Sequence, residues 1–188
     1  TVATVTASDA DAGTTITFSL SGTDAADFAI NSETGAITFN SAPDFETPGS
    51  VANSNAYSLN VVASDGTNTD TEAIVVNVTD ANDESPVLSV ATPYSVAENT
   101  TTVATVTASD ADAGTTITFS LSGTDAGDFA INSETGAITF ASAPNFESPT
   151  GGAGNNSNAY SLNVVASDGT NTDTEAIVVN VTDTNDES

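Results

Sequence analysis

Carboxylates are the side chains with which this chain could do chemistry. It carries 26 Asp and Glu but no Lys, Arg, His or Cys. Their spacing is patterned. ASDADAG places Asp9 and Asp11 two residues apart, and a second copy places Asp110 and Asp112 likewise. PDFET gives Asp44 and Glu46, and PNFES gives Asn145 and Glu147. ASDG supplies Asp65 and Asp168, and AEN supplies Glu98 and Asn99. DAND contributes Asp80, Asn82 and Asp83, and its copy contributes Asp183, Asn185 and Asp186. Alternate residues of a strand point to one side, so a D-x-D pair at a strand end can turn both carboxylates toward one cation. Ca²⁺ takes six to eight oxygens from such groups, whereas Mg²⁺ prefers tight octahedra with retained waters. Without His or Cys, typical zinc sites are excluded. The D-x-[DN]-x-[DN]-G-x5-E spacing of an EF-hand does not occur. A single D-x-D in an acidic chain is commonly a solvated turn; the weight lies in the recurrence.

The same composition excludes other functions. No His, Cys or Lys is present to act as base, nucleophile or Schiff-base former. Paired carboxylates could in principle hydrolyse glycosides, but no Trp platform accompanies them. Nucleic acid is excluded as an electrostatic partner, and anionic membrane surfaces are disfavoured. No apolar run reaches the roughly 20 residues of a membrane-spanning helix. A formal charge of −26 with no internal counterion opposes compaction unless cations screen or bind it. A halophile-like solvated surface is the plain alternative to metal binding. Disulfides are impossible, and the lack of Met reads as a processed chain or a piece of a longer one.

The elements that must position these acids are strands. Ile16, Phe18 and Leu20 alternate with Ser and Thr; Tyr57, Leu59, Val61 and Ala63 do the same, as do Ile74, Val76 and Val78. Period-two patterning predicts half-buried strands, and no segment sustains a helical period. FAINSETGAITF predicts a hairpin with Phe28, Ile30, Ile37 and Phe39 inward and Gly35 in the left-handed position. Short strands separated by turn signals imply an all-β sandwich of about seven strands.

The chain is also a near repeat of itself. Residues 1–48 match 102–149, and 53–85 match 156–188. Such a domain-sized period predicts tandem modules. The expected boundaries are repeat 1 over 1–79, a short acidic linker over 80–86, repeat 2 over 87–182 and a further linker start over 183–188. Repeat 1 has no counterpart of Pro86 to Thr101, so its first strand is expected to be missing. Such a strand lies upstream in a longer array, or a neighbouring chain donates it.

These motifs, in this order and twice over, resemble cadherin-like repeats, in particular those of very large bacterial surface adhesins. The resemblance covers essentially the whole chain. FAINSETGAIT at 28–38 and 129–139 resembles the family's F-x-I-x-x-x-T-G-x-[IL]-T hairpin. ASDADAG resembles A-x-D-x-D, and VAEN resembles P-E-N. PDFE resembles D-R-E with Phe45 in place of Arg. DANDESP resembles D-x-N-D-N-x-P with Glu84 in place of the second Asn. The resemblance implies tandem Greek-key sandwiches of cadherin and immunoglobulin type, with Ca²⁺ between consecutive repeats. Carried over, it assigns the internal junction to Asp44, Glu46, Asp80, Asn82, Asp83, Asp110, Asp112 and Asp168, with carbonyls near Ala81 and Glu84. The family's usual three Ca²⁺ would nearly balance the seven carboxylates in that set. Half-sites of Asp9, Asp11 and Asp65, and of Glu98, Asn145, Glu147, Asp183, Asn185 and Asp186, are expected to be weaker or empty.

The function this implies is a non-catalytic extender, rigidified by Ca²⁺, at an extracellular cell surface and projecting a distal binding domain. Its partners are neighbouring repeats and identical chains. The alternatives are a subunit of a filament or surface layer joined by strand donation, and a carbohydrate- or protein-binding module.

Overall fold

Alternation of Thr, Ser and apolar residues becomes strand wherever the sequence shows it. In a computed structural model, which describes residues 1–11, 13–151 and 157–185, the only helical turns among those residues are two short 3₁₀ segments, Ala25–Asp27 and Ala126–Asp128. The chain divides into Thr1–Ala81 and Asn82–Ser188.

In the first unit the strands are β1 (Ala3–Thr4), β2 (Thr17–Ser21), β3 (Phe28–Ile30), β4 (Ala36–Phe39), β5 (Ala56–Ser64) and β6 (Thr69–Asn77). They form two sheets, β1-β4-β3 and β2-β5-β6, with every pairing antiparallel. Phe28, Ile37, Tyr57, Leu59 and Val61 fill the space between them. The Tyr57 ring meets Phe28 and Phe39 edge-on, at centroid distances of 5.6 and 5.2 Å, in the T-shaped arrangement that aromatic quadrupoles favour.

The hairpin forms where the sequence places it. Asn31 Oδ1 accepts the N–H groups of Glu33 and Thr34, and Gly35 adopts φ +69°. A Cβ at Gly35 would collide with the Val5 carbonyl oxygen, so both the dihedral and the close approach of the neighbouring chain require glycine here.

The second unit repeats this plan with its first strand present. Its elements are β7 (Val87–Ser89), β8 (Tyr94–Ala97), β9 (Thr102–Thr105), β10 (Thr107–Ser109), β11 (Thr118–Ser122), β12 (Phe129–Ile131), β13 (Ala137–Phe140), β14 (Ala159–Ser167) and β15 (Thr172–Thr182). The seven strands expected from the sequence appear as nine segments among the described residues, because the first and second strands are each interrupted. β7 pairs with β10, whereas β8 crosses to the other sheet and pairs in parallel with β15.

That first strand changes the burial of identical side chains. Ile177, Val179 and Val181 are 2%, 0% and 4% exposed, while their counterparts Ile74, Val76 and Val78 are only half-buried.

An acid at the same place in each unit serves the fold. Asp24 is buried, and its carboxylate accepts the N–H groups of Val51 (2.9 Å) and Ser58 (2.6 Å). Asp125 accepts Ser161 N–H in the same way at 2.6 Å. From sequence Asp24 reads as one more loop acid; in the structure it fastens the connection from β4 to β5.

Candidate metal centre

One gathering of acids in the second unit is built from three turns. Asp110 and Asp112 follow β10, Asp168 lies in the tight β14–β15 turn, and Asn82 with Glu84 precedes β7. The carboxylate oxygens of Asp110, Asp112 and Asp168 all lie within 4.8 Å of one another. Local hydrogen bonds hold each one. Asp112 N–H donates to Asp110 Oδ1 (3.0 Å), and the Thr115 hydroxyl donates to the Asp112 carbonyl (3.1 Å). Asp168 Oδ1 accepts the N–H groups of Thr170 and Asn171, both at 2.6 Å.

The segment before β7 closes over this group. Glu84 N–H donates to Asp112 Oδ2 (3.0 Å), and the Asn171 amide donates to the Glu84 carbonyl (2.8 Å). With its nitrogen turned inward, the Asn82 amide donates to Asp168 Oδ2 (2.8 Å) and to Asp112 Oδ2 (3.2 Å). Rotated end for end, that amide would present Oδ1 to a cation shared with the carboxylates.

The electrostatics of this group suit a hard cation. Asp112 is 4% exposed, and Asp110 Oδ2 is buried with no hydrogen-bond donor. Burial pushes the Asp168 pKa up, but the N–H donors of Asn171 and Thr170 outweigh it and hold the carboxyl below its ordinary range. No basic residue exists anywhere in the chain to neutralise the group. Three carboxylates, an amide and a nearby carbonyl form an all-oxygen donor set of the kind Ca²⁺ takes.

A second gathering forms at Glu98, Glu147 and Asp183, whose oxygens also lie within 4.8 Å of one another. Glu98 is 2% exposed. It accepts Phe146 N–H on Oε2 and Thr184 N–H on Oε1, each at 2.8 Å, and these donors lower its pKa. Phe146 stands where the family motif has Arg; its side chain packs against the core while its backbone fixes Glu98. Asn145 uses its Oδ1 to accept Ser148 N–H (2.6 Å). Asn158, not singled out in the sequence, donates to the Phe146 carbonyl (2.9 Å) and turns a buried, unpartnered Oδ1 away from it. Asn185 is described, and Asp186 lies outside the described residues.

The remaining expected ligands are less gathered within their own unit. Asp9 Oδ1 accepts Asp11 N–H, and Asp65 accepts the N–H groups of Thr67 and Asn68, which lower its pKa. Among the described residues Asp9, Asp11 and Asp65 do not close to the spacing of their counterparts Asp110, Asp112 and Asp168. Asp44 Oδ1 accepts the N–H groups of Glu46 and Thr47, so the first of these acids shapes the loop that carries the second. Glu46 and Asp80 are partly buried, and Asp83 is exposed.

Comparison with known proteins agrees with this geometry. The cadherin domain model matches residues 1–79 and 92–182. Human Protocadherin Fat 4 is 36% identical over 197 residues, covering 100% of this chain and 4% of its own length. The Drosophila melanogaster protocadherin-like wing polarity protein stan is 36% identical over 98% of the chain and 5% of its own length. The chain thus spans about a twentieth of these relatives. Among solved structures, human protocadherin-24 EC1-2 superposes with a TM-score of 0.75 at 23% identity, covering 96% of this chain and 87% of that one. Mouse cadherin-23 EC22-24 gives 0.68 at 27% identity, over 90% and 53%. With two matched domains, paired sandwiches and acids at the ends of their strands, the chain belongs to the cadherin domain family.

Proposed function

We propose that the chain is a stretch of a Ca²⁺-rigidified extender in a cell-surface adhesin, a spacer that carries a distal binding domain away from the cell. Cadherin domains are non-catalytic adhesion modules that bind Ca²⁺ at the junctions between repeats. The observation that carries the reading is the Asp110, Asp112 and Asp168 group with Asn82 and Glu84 closed over it, in a chain without a single basic residue. Asp44, Glu46, Asp80 and Asp83 complete the proposed ligand set, with up to three ions. Repeats over 1–79 and 87–182 would meet through the 80–86 linker, and Asp183 would open the next linker. Near-identity of the repeats suits a spacer, whose task is length rather than a unique surface. The bacterial setting is part of this proposal and rests on the motif resemblance alone, since the relatives named above are animal proteins. An extracellular place follows from the same reading, and the similar protocadherin gamma B2 structure consists of extracellular cadherin domains.

Calorimetric titration with Ca²⁺ tests the proposal. Saturable heat and a melting temperature that falls in EGTA are expected. Small-angle scattering should show a longer maximum dimension in Ca²⁺ than in EGTA. Absence of heat, with equal melting and equal dimensions in both buffers, would refute the extender.

A further inference from the structure

The two repeats differ at few places, and those within residues 1–48 share one cavity of the first unit. Between residues 1 and 48 the copies differ at Ala26, Asn40, Asp44 and Thr47, which read Gly127, Ala141, Asn145 and Ser148 in the second copy. All four first-copy residues line a single cavity of about 380 Å³. Gly49, where the loop of unequal length begins, lines it too. Its remaining character comes from Asp27 and from the rings of Phe39 and Tyr57.

In the second unit Gly151 stands at the equivalent place. Gly151 lies so close to the counterparts Asp128 and Tyr160 that a Cβ there would collide with the Asp128 carboxylate. In the first unit Gly49 N–H donates to the Tyr57 hydroxyl at 3.2 Å, and a Cβ on it would sit at ordinary contact distance, 3.4 Å from that oxygen. Asn40 braces the wall by donating from its amide to the Ala26 carbonyl (2.9 Å), a bond Ala141 cannot make.

We infer that this cavity of the first unit is a binding site for a cationic side chain, the ammonium or guanidinium of a lysine or arginine on a partner protein. Asp27 is half-buried, and its carboxylate has no hydrogen-bond donor among the described residues. The chain has no Lys or Arg of its own to offer it, so a cationic side chain that reaches it comes from another chain. The Phe39 and Tyr57 rings add the aromatic surface on which such a cation is held. Among the described residues Asp27 belongs to no close group of three acids, so it lacks the neighbouring ligands that Ca²⁺ demands. The site thereby gives one repeat of a near-uniform pair a recognition property the other lacks.

The test is NMR on the isotope-labelled 188-residue chain in saturating Ca²⁺, titrated with N-acetyl-lysine amide and, separately, with its uncharged isostere N-acetyl-norleucine amide. Saturable shifts at Asp27, Asn40 and Tyr57, absent at Asp128, Ala141 and Tyr160, are the expected result. Asp27→Asn should weaken lysine-probe binding at least about tenfold, the order expected for losing a charged hydrogen bond. Asn40→Ala, which installs the residue the second copy already tolerates, should weaken it without loss of folding. Four outcomes would overturn the inference: no saturable shift, equal shifts in both units, equal binding of the norleucine probe, or Asp27→Asn binding as well as the parent. Shifts spread over all carboxylates would show a loose counterion only.

Discussion

Asp112→Asn should change sign with the buffer. The substitution keeps the size of the side chain and removes one charge from the Asp110–Asp112–Asp168 group. Two unit charges 4.8 Å apart, the limit within which these oxygens lie, repel by about 0.9 kcal/mol in a water-like medium and about 3.5 kcal/mol at an effective dielectric of 20. Asp112 is 4% exposed, so its repulsion with Asp110 belongs toward the upper value. Against that, the bond from Glu84 N–H at 3.0 Å weakens from charge-assisted to neutral, a loss of about 1–1.5 kcal/mol. In EGTA the variant should therefore melt no lower than the parent, and up to several degrees higher, since about 1 kcal/mol moves a domain of this size by about 4–8 °C. In Ca²⁺ the order should reverse, because the lost charge is the one the ion binds and the parent gains more from saturation. Scanning calorimetry of both proteins in both buffers reads the crossover. Asp24→Asn serves as control: its carboxylate holds Val51 and Ser58 N–H, so it should lower melting alike in both buffers. Equal loss from Asp112→Asn in EGTA and in Ca²⁺ would refute the reasoning and leave Asp112 as a loop fastener.

Three further outcomes are expected. Ile177→Ala should cost about 2–5 kcal/mol in urea unfolding, and Ile74→Ala markedly less, because Ile177 is 2% exposed and Ile74 only half-buried. Gly136→Ala should cost more than the ~1 kcal/mol of a left-handed residue alone, read as a drop in the urea midpoint, since its φ is +70° and a Cβ would collide with the Val106 carbonyl. The donors Phe146 and Thr184 lower the Glu98 pKa, so the stability it adds is complete above the ordinary carboxylate pKa of about 4.3 and is lost as pH falls through the lower folded value. In EGTA the gap between parent and Glu98→Gln should accordingly be flat above about pH 5 and close below about pH 4, as measured by urea unfolding across that range.

Strand positions were legible because two-residue alternation is a local signal: Phe28, Ile37, Tyr57 and Leu59, all inward by pattern, are all buried. The turn at Gly35 was legible for the same reason. What alternation could not show was the break in the first strand. Pairing β7 with β10 and β8 with β15 depends on two sheets at once, and no period along the chain records that. At the candidate site, spacing marked Asp110 and Asp112, but only the fold shows that the β14–β15 turn sets Asp168 beside them. Asp24 did not stand out because an acid that fastens a loop and an acid that faces water have the same local context; only burial separates them. Asn158 carried no signal at all, since one more Asn in a chain so rich in Asn, Ser and Thr is inconspicuous.

A chain with 26 acids and no base can satisfy a buried carboxylate in only two ways, and the structure separates them. Asp24 and Glu98 take backbone N–H donors on both oxygens, two dipoles standing in for the missing cation. Asp110 spends Oδ1 on the Asp112 N–H and keeps a buried Oδ2 with no donor. The first arrangement is complete without an ion. The second leaves a desolvated lone pair whose cost of about 1–3 kcal/mol or more persists until something positive reaches it. That difference in local satisfaction, more than the number of acids, distinguishes carboxylates that hold the fold from those placed to receive a cation. It also explains why removing charge should harm the protein at Asp24, whereas at Asp112 the repulsion from its neighbouring carboxylates makes the same change a relief when Ca²⁺ is withheld.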